Sequence, residues 1–317
     1  MAMAPRTLRR RLVPADRTYK VALGILAAAF GAVTAWFVVS LAIQARPAFS
    51  KLGFSFIVGK TWSPAFGQYG LLPFILGTLE TTAIAMVLAI PIGLGTAIAL
   101  AYLVPRKVRP PLSTAVELLA AIPSVVYGLW GRIVVAPIVR DRLEPFLTAA
   151  FGWTGLFNGP DEGVGLLLAG IILFIMVLPT MTAISRDVIA AVPEDQVEAA
   201  LALGATRSQT LRRVVVRGSS KGILGAATLA TGRALGETVA VALVIGNSNY
   251  IVHSVKSGSA TIASLIVNQF GEASGTELSV LFAAALVLLV IGIVVNALAR
   301  VLVRSTSRSS AASVAVA

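Results

Sequence analysis

Residues 192–217 read VPEDQVEAALALGATRSQTLRRVVVR, a polar segment that separates two long apolar ones. Pro193 suits the first position of a helix, and Gly204 can adopt the left-handed conformation that ends one. Thr206 and Gln209 have the spacing of a capping box, which opens a second helix. At 1.5 Å per residue the first helix is about 16 Å long, about half the hydrocarbon thickness of a bilayer. It cannot span a membrane, so we expect it to lie across the membrane surface.

The composition of the whole chain places it in a bilayer, because 57% of its 317 residues are hydrophobic and 13% are charged. The chain has no cysteine and a single histidine, His253, which argues against disulfides, a thiolate nucleophile and a metal cluster. It also has no Walker A pattern. We therefore expect no catalytic residue, no metal and no cofactor in this chain, and an energy source that lies in a partner.

Six apolar runs predict six membrane spans, at residues 21–43, 78–103, 112–139, 163–184, 222–245 and 277–303. The first run is too long for a signal peptide and lacks a clear cleavage site, so we expect it to remain as a span. The predicted transmembrane domain is thus residues 21–303, with the polar loop 192–217 inside it. A basic tail precedes it at residues 1–20, and the Ser- and Ala-rich tail 304–317 is expected to be disordered.

The basic residues indicate how these spans are oriented. Of 26 Lys and Arg residues, 18 fall in segments that are cytoplasmic if both termini lie in the cytoplasm. Seven fall outside and Arg233 falls within the fifth span; these counts assign Arg132 of the third span to the outside and Arg300 of the sixth span to the cytoplasm. This positive-inside bias supports a multi-pass protein with both termini in the cytoplasm. It also accounts for the net charge of +12 without a nucleic-acid partner.

Two charged residues inside the fifth span are the main candidate site, because an unpaired charge in hydrocarbon is costly. In GRALGETVA, Arg233 and Glu237 stand four apart, so a continuous helix puts them on one face. One interpretation is an ion pair that lets the helix tolerate its own charges. The other is a substrate path, in which Arg233 offers a planar fork of donors to an oxyanion. Gly232 and Gly236 have no side chains, so a ligand or another helix can approach closely.

In the substrate-path interpretation, Glu237 holds Arg233 in place. A carboxylate can also accept a hydrogen bond from a protonated oxyanion such as hydrogen phosphate, whereas it repels one without a proton, such as sulfate. Other polar residues in the spans are weaker candidates. We expect Glu117 to pair with a cytoplasmic basic residue, and Pro123 to break the third span ahead of Ser124 and Tyr127.

The polar loop carries a family resemblance. Glu198-Ala199-Ala200, three residues and then Gly204 resemble the EAA loop of the membrane subunits of ATP-binding-cassette importers. The proline that follows this loop in the family is Arg217 here. The segments GQYGLLPFILGTLETT, ELLAAIPSVVYGLWG and GRALGETVA are similar to the C-type permeases of phosphate-specific transport importers.

The resemblance implies a type I importer permease of MetI-like architecture in the bacterial cytoplasmic membrane. It implies that the chain is no enzyme and that Glu198, Ala199, Ala200 and Gly204 contact an ATP-binding subunit dimer. The other implied partners are a second, A-type permease subunit, an extracytoplasmic phosphate-binding protein and the membrane lipid. In the family, an arginine and a glutamate at the positions of Arg233 and Glu237 are linked to phosphate transport.

Three alternatives stay open at the level of sequence. The oxyanion could be sulfate, molybdate or phosphonate instead of phosphate. A secondary transporter or channel would need no EAA loop and would not co-purify with an ATPase. A membrane-anchored scaffold would tolerate neutralisation of Arg233 and Glu237 together, whereas a transporter should not.

Overall fold

The computed structural model describes the backbone of residues 14–314 and the side chains of residues 18–301. Most of the predicted basic tail, residues 1–13, lies outside the described residues, as do residues 315–317. The described chain is helical along most of its length, which confirms the predicted all-α class. Two short strands form a small hairpin after the first helix.

The elements follow one another with short connections. They are α1 (Pro14–Leu52), α2 (Ser55–Val58), β1 (Trp62–Ser63), β2 (Gln68–Tyr69), α3 (Leu72–Ile98), α4 (Arg109–Ala120), α5 (Ser124–Trp130), α6 (Ala136–Ile138), α7 (Glu144–Phe151), α8 (Leu166–Ala190), α9 (Glu194–Ala202), α10 (Arg207–Thr210), α11 (Ser220–Leu235), α12 (Val239–Val244), α13 (Ile262–Gln269) and α14 (Gly275–Val314). π-helical turns extend several of them, at Ala99–Leu103, Gly131–Val135, Val139–Leu143 and Leu211–Val216.

Within the described residues, four helical segments are long and apolar enough to cross a membrane: Thr18–Leu52, Leu72–Leu103, Leu166–Ala190 and Gly275–Val301. The segments Arg109–Ala120 and Ser124–Thr154 pass the same test together, but they meet at an angle of 88°. The predicted fifth span is present as two shorter helices, α11 and α12, with a break between Leu235 and Val239. Six continuous spans are therefore not found in this part of the chain, because the third is bent and the fifth is broken.

Several predicted helix ends also differ from the structure. α3 begins at Leu72 and not near residue 78, because Pro73 occupies the first turn, where the missing N–H needs no partner. α1 starts within the predicted basic tail and runs on to Leu52. The backbone of α14 is helical to Val314, and the disorder expected from residue 304 stays a prediction. No proline or glycine follows Gly292 to end that helix.

The core lies where α8 packs between α3 and α11. Glycines allow the close approach. A Cβ atom on Gly170 of α8 would lie 2.4 Å from Ile84 on α3, and one on Gly222 of α11 would lie 2.2 Å from Val188 on α8. α1 and α14 pack together as a second layer beside this core.

Two local predictions about α4 and α5 are confirmed. Glu117 pairs with Arg186 of α8, with 3.1 Å between Oε1 and Nη2, so a basic residue does neutralise it; the cytoplasmic placement of Arg186 stays a prediction. The chain breaks between α4 and α5 at Pro123, as expected. The Tyr127 hydroxyl donates to the carbonyl of Leu119 across this break, at 2.8 Å, and thereby satisfies a carbonyl that the interrupted helix leaves free.

A buried ion pair on the predicted outer side joins parts of the chain that are far apart in sequence. Lys256 is 1% exposed, and its Nζ lies 2.5 Å from Oδ1 of Asp161 and 3.0 Å from Oγ1 of Thr148. Beside it, the buried carboxylate of Glu144 accepts the backbone N–H of Gly163 at 3.1 Å. Lys256 is one of the seven basic residues that are predicted to lie outside, and no partner was predicted for it.

Lys256→Met is expected to lower the stability of the chain by about 1 to 3 kcal/mol, because Asp161 and Thr148 lose a charged hydrogen-bond donor. The half-exposed Asp161 keeps water, which limits the effect. Thermal unfolding of the purified chain in detergent measures the change. Lys60→Met, which removes the same charge from an exposed lysine, is the control. An unchanged unfolding temperature for Lys256→Met would contradict a stabilising role.

Candidate functional site

Arg233 lies near the end of α11 and is half-buried. Its Nη1 donates to the Thr180 hydroxyl of α8 at 3.1 Å. No carboxylate in the described part of the chain lies within ion-pair distance of it. A guanidinium has five N–H donors, so most of its hydrogen-bonding capacity is open to a ligand.

Glu237 does not form the expected pair with Arg233, because the helix that should carry both residues ends between them. α11 stops at Leu235, and Glu237 follows in the break. Its Oε1 instead accepts the backbone N–H of Ala240 at 3.4 Å, in the first turn of α12. A carboxylate suits this place, since the first N–H groups of a helix lack partners inside it. The interpretation of these residues as an ion pair on one helix face is therefore wrong in this conformation.

Gly232 and Gly236 face different neighbours from Arg233. Both glycines are exposed and line an apolar groove of about 300 Å³, whose other walls include Phe37 of α1 and Leu288 of α14. A Cβ atom on Gly232 would meet no described atom within 4 Å. The structure thus brings Arg233 to α8 and the two glycines to the α1–α14 side, so the four predicted residues do not line one cavity.

The predicted coupling loop has the local structure that its sequence indicates. α9 spans Glu194–Ala202, and Gly204 ends it with a left-handed φ of 87°. Both hydrogen bonds of the capping box are present: the Thr206 hydroxyl accepts the Gln209 N–H at 3.3 Å, and the Gln209 side chain accepts the Thr206 N–H at 3.0 Å. One detail is corrected. Pro193 immediately precedes the helix in an extended conformation, with ψ of 133°, and is not its first residue.

The motif residues of this loop point mainly outward. Glu198, Ala199 and Gly204 are exposed, and Ala200 is half-buried against the body of the protein. Leu203 beside them is 90% exposed. The exit from the loop is helical at Arg217, with φ and ψ of −69° and −40°, so arginine in place of the family's proline continues the helix. A charged and apolar surface is therefore available for a partner.

Thr180 is the site residue that sequence reasoning missed. It follows Pro179 within the 25-residue helix α8, whose side chains are otherwise mainly apolar. The sequence around Thr180 gives no sign of its role, because its hydrogen-bond partner Arg233 lies 53 positions further along the chain and on another helix. Within the described range, no group of three His, Cys, Asp or Glu side chains could hold a metal ion.

The chain thus combines α11, which ends beside a half-buried arginine, with α9, a short exposed helix that carries the EAA pattern. A family model described as "Binding-protein-dependent transport system inner membrane component" matches residues 89–308, and the chain belongs to this family. The matched region covers the coupling loop and the segment around Arg233. Solved structures agree on the fold. A bacterial alginate transporter crystallised with an alginate-bound periplasmic protein has a TM-score of 0.59 at 17% identity, over 87% of this chain and 92% of that one.

The relatives identify the particular branch of the family. The phosphate transport system permease protein PstC of Mesorhizobium japonicum is 43% identical over 86% of this chain and 85% of its own length. The protein of the same name from Pasteurella multocida is 41% identical over 83% of this chain and 84% of its own length. The resemblance to C-type permeases of phosphate importers is therefore confirmed.

Proposed function

We propose that this chain is the membrane subunit through which an ATP-driven importer carries inorganic phosphate across the cytoplasmic membrane. The observation that carries this proposal is Arg233, a half-buried cation within a predicted span that has a hydroxyl partner but no carboxylate partner among the described residues. The remaining N–H donors of this guanidinium can form hydrogen bonds with an oxyanion. The names of the relatives support phosphate as that oxyanion.

The chain itself supplies the path and not the chemistry of ATP hydrolysis. In the proposed assembly it pairs with an A-type permease subunit, receives phosphate from an extracytoplasmic binding protein and docks on an ATPase dimer. Both of its termini lie in the cytoplasm. The alginate transporter, which was crystallised with its periplasmic protein, supports the binding-protein partner by analogy of fold.

Transport proceeds by alternating access. ATP closes the ATPase dimer, and the closure moves α9 through the exposed face around Glu198. α9 is joined to α10 by the turn at Gly204, and α10, the π-helical turn and α11 then follow with little interruption, so a displacement of α9 can reach Arg233 along this segment. The break after Leu235 lets the outer end of this path bend. Hydrolysis then returns the pair of permeases to the inward-open state.

Glu237 gives the path its selectivity in this proposal. The carboxylate lies in the break between α11 and α12, four residues after Arg233. It accepts one hydrogen bond, from a backbone N–H. A second lone pair can accept a hydrogen bond from the protonated oxygen of hydrogen phosphate. Sulfate has no such proton, so the negative charge of the carboxylate disfavours it.

The test is uptake of radiolabelled phosphate, with labelled sulfate beside it, in phosphate-starved cells that lack this gene. The wild-type chain is expected to restore phosphate uptake and to leave sulfate uptake unchanged. Glu237→Gln is expected to weaken the discrimination, since unlabelled sulfate then competes with phosphate. Restoration of sulfate or molybdate uptake in place of phosphate would move the assignment to that oxyanion. Transport that needs no ATPase partner would indicate a secondary transporter.

A further inference from the structure

A cleft of about 310 Å³ lies between the end of α3 and the coupling loop. Leu103 forms one apolar wall, and Val197 and Leu201 of α9 form the opposite one. The polar residues of the lining are Arg207 and Thr210 of α10, which form its polar corner, and Tyr102, which precedes Leu103. One end of this cleft is therefore apolar and the other is cationic.

The polar corner has unused hydrogen-bonding capacity. Arg207 is exposed and makes no ion pair with any residue that the structure describes. Thr210 is 2% exposed, and its hydroxyl has no hydrogen-bond partner in the described chain. Buried hydroxyl groups are normally hydrogen-bonded. Since the two residues are three positions apart on a helical turn, they share one face and can serve one anion together.

In the predicted topology, the cleft lies at the cytoplasmic end of the second membrane segment. Leu103 is the last residue of the second membrane segment, and its side chain is 68% exposed. The basic turn with Arg106 and Lys107 follows directly. Residues 205–221 add five cations and no acid. The cytoplasmic leaflet is rich in anionic lipids, which attract such clusters.

We propose that the cleft binds one anionic phospholipid of the cytoplasmic leaflet. The phosphate of the headgroup accepts hydrogen bonds from Arg207 and, after a rotation of its buried hydroxyl, from Thr210. The first part of an acyl chain lies along Leu103, Val197 and Leu201. This occupant matches both ends of the cleft, since a free anion would leave the apolar walls unused.

A lipid in this position also leaves the outward surface of α9 free. Val197 and Leu201 are four apart and form the inner face of the helix towards the cleft. Glu198, on the exposed face, remains accessible to an ATPase. The lipid would thus support the coupling helix from the membrane side. This inference does not depend on which oxyanion the permease carries.

The test is native mass spectrometry of the purified full-length chain titrated with phosphatidylglycerol, and with phosphatidylcholine of the same acyl chains. We expect tighter binding of phosphatidylglycerol, and a weakening of about fivefold in Arg207→Gln, the effect of one basic residue near an anionic surface. Arg213→Gln is the matched control, because it removes the same charge from an exposed position outside the cleft. Arg207→Lys keeps the charge and should bind within about twofold of the wild type.

Four results would overturn the proposal. Equal weakening in Arg207→Gln and Arg213→Gln would indicate diffuse attraction by the basic segment. Equal binding of phosphatidylglycerol and phosphatidylcholine would show that the cleft does not recognise an anionic headgroup. Displacement of the lipid by millimolar inorganic phosphate would assign the corner to a free anion. Loss of a co-purifying ATPase from Arg207→Gln, with lipid binding unchanged, would make the cleft a protein contact.

Discussion

Arg233→Leu is expected to reduce phosphate uptake about a hundredfold. In the proposed function Arg233 forms a hydrogen-bonded charge pair with the transported phosphate, and loss of one partner of such a desolvated pair costs about 2 to 5 kcal/mol. The half-buried guanidinium is the cation that we place on the substrate path, and leucine offers no donor in its place. Arg233→Lys keeps the charge but loses the planar fork, so we expect an intermediate loss of about tenfold. Uptake in cells that lack the native gene, normalised to the amount of the chain in the membrane, measures both effects.

Two further variants separate binding from structure. Arg132→Leu removes an exposed arginine from another segment and should leave uptake unchanged. Thr180→Val keeps the charge of Arg233 but removes its 3.1 Å hydrogen bond, so we expect a rise in the KM for phosphate of about tenfold, the lower end of the effect of one hydrogen bond to a charged group. Uptake by Arg233→Leu equal to that of the wild type would reduce Arg233 to a structural residue held by Thr180.

Glu198→Arg is expected to abolish association with the ATPase and to reduce uptake at least about tenfold, because it reverses the charge of the first residue of the exposed motif. Asp195→Arg is the matched control. It makes the same change of charge on the same exposed helix, outside the Glu-Ala-Ala motif, and should lose less than about 1 kcal/mol of helix stability. Co-purification of the ATPase with the chain from membranes measures association, and phosphate uptake measures coupling.

Gly204 permits a second test of the same surface. Its φ of 87° favours glycine, and a Cβ atom there would meet no described atom within 4 Å. Gly204→Ala therefore costs only backbone strain, about 1 to 2 kcal/mol, and should retain most uptake. Gly204→Asp adds a charge to the docking surface and should lose both ATPase association and uptake. If Glu198→Arg and Gly204→Asp both kept association and uptake, α9 would not be the helix that transmits the movement of the ATPase.

The sequence was most informative where a structure depends on neighbouring residues. The capping box of Thr206 and Gln209 and the left-handed Gly204 were predicted correctly, because each is decided within one turn of chain. The break at Pro123 follows from the missing N–H of proline in the same way. The partner of Glu117 was predicted only by class, as a basic residue, since the choice of Arg186 required the packing of α4 on α8.

Apolar composition was a weaker guide to the ends and continuity of the spans. It reports which residues can lie in a bilayer, but not where backbone hydrogen bonding stops. Two uninterrupted apolar runs therefore predicted continuous spans where the structure has a bent helix pair, in the third, and a break after Leu235, in the fifth. The expected i, i+4 pairing of Arg233 with Glu237 failed for this reason, because the rule holds only on an uninterrupted helix.

Composition and local helix signals by themselves determined an all-helical membrane protein with a short surface helix, and the resemblance of its motifs to a known family indicated a phosphate permease. These properties depend on composition, local helix signals and motifs, all of which are linear in the chain. Only the tertiary structure decided that Arg233 contacts Thr180, that Gly232 and Gly236 face a different groove, and that Lys256 meets Asp161. Each of these contacts joins different helices or segments distant in sequence, so it depends on how the segments pack against one another and not on the pattern within any one of them.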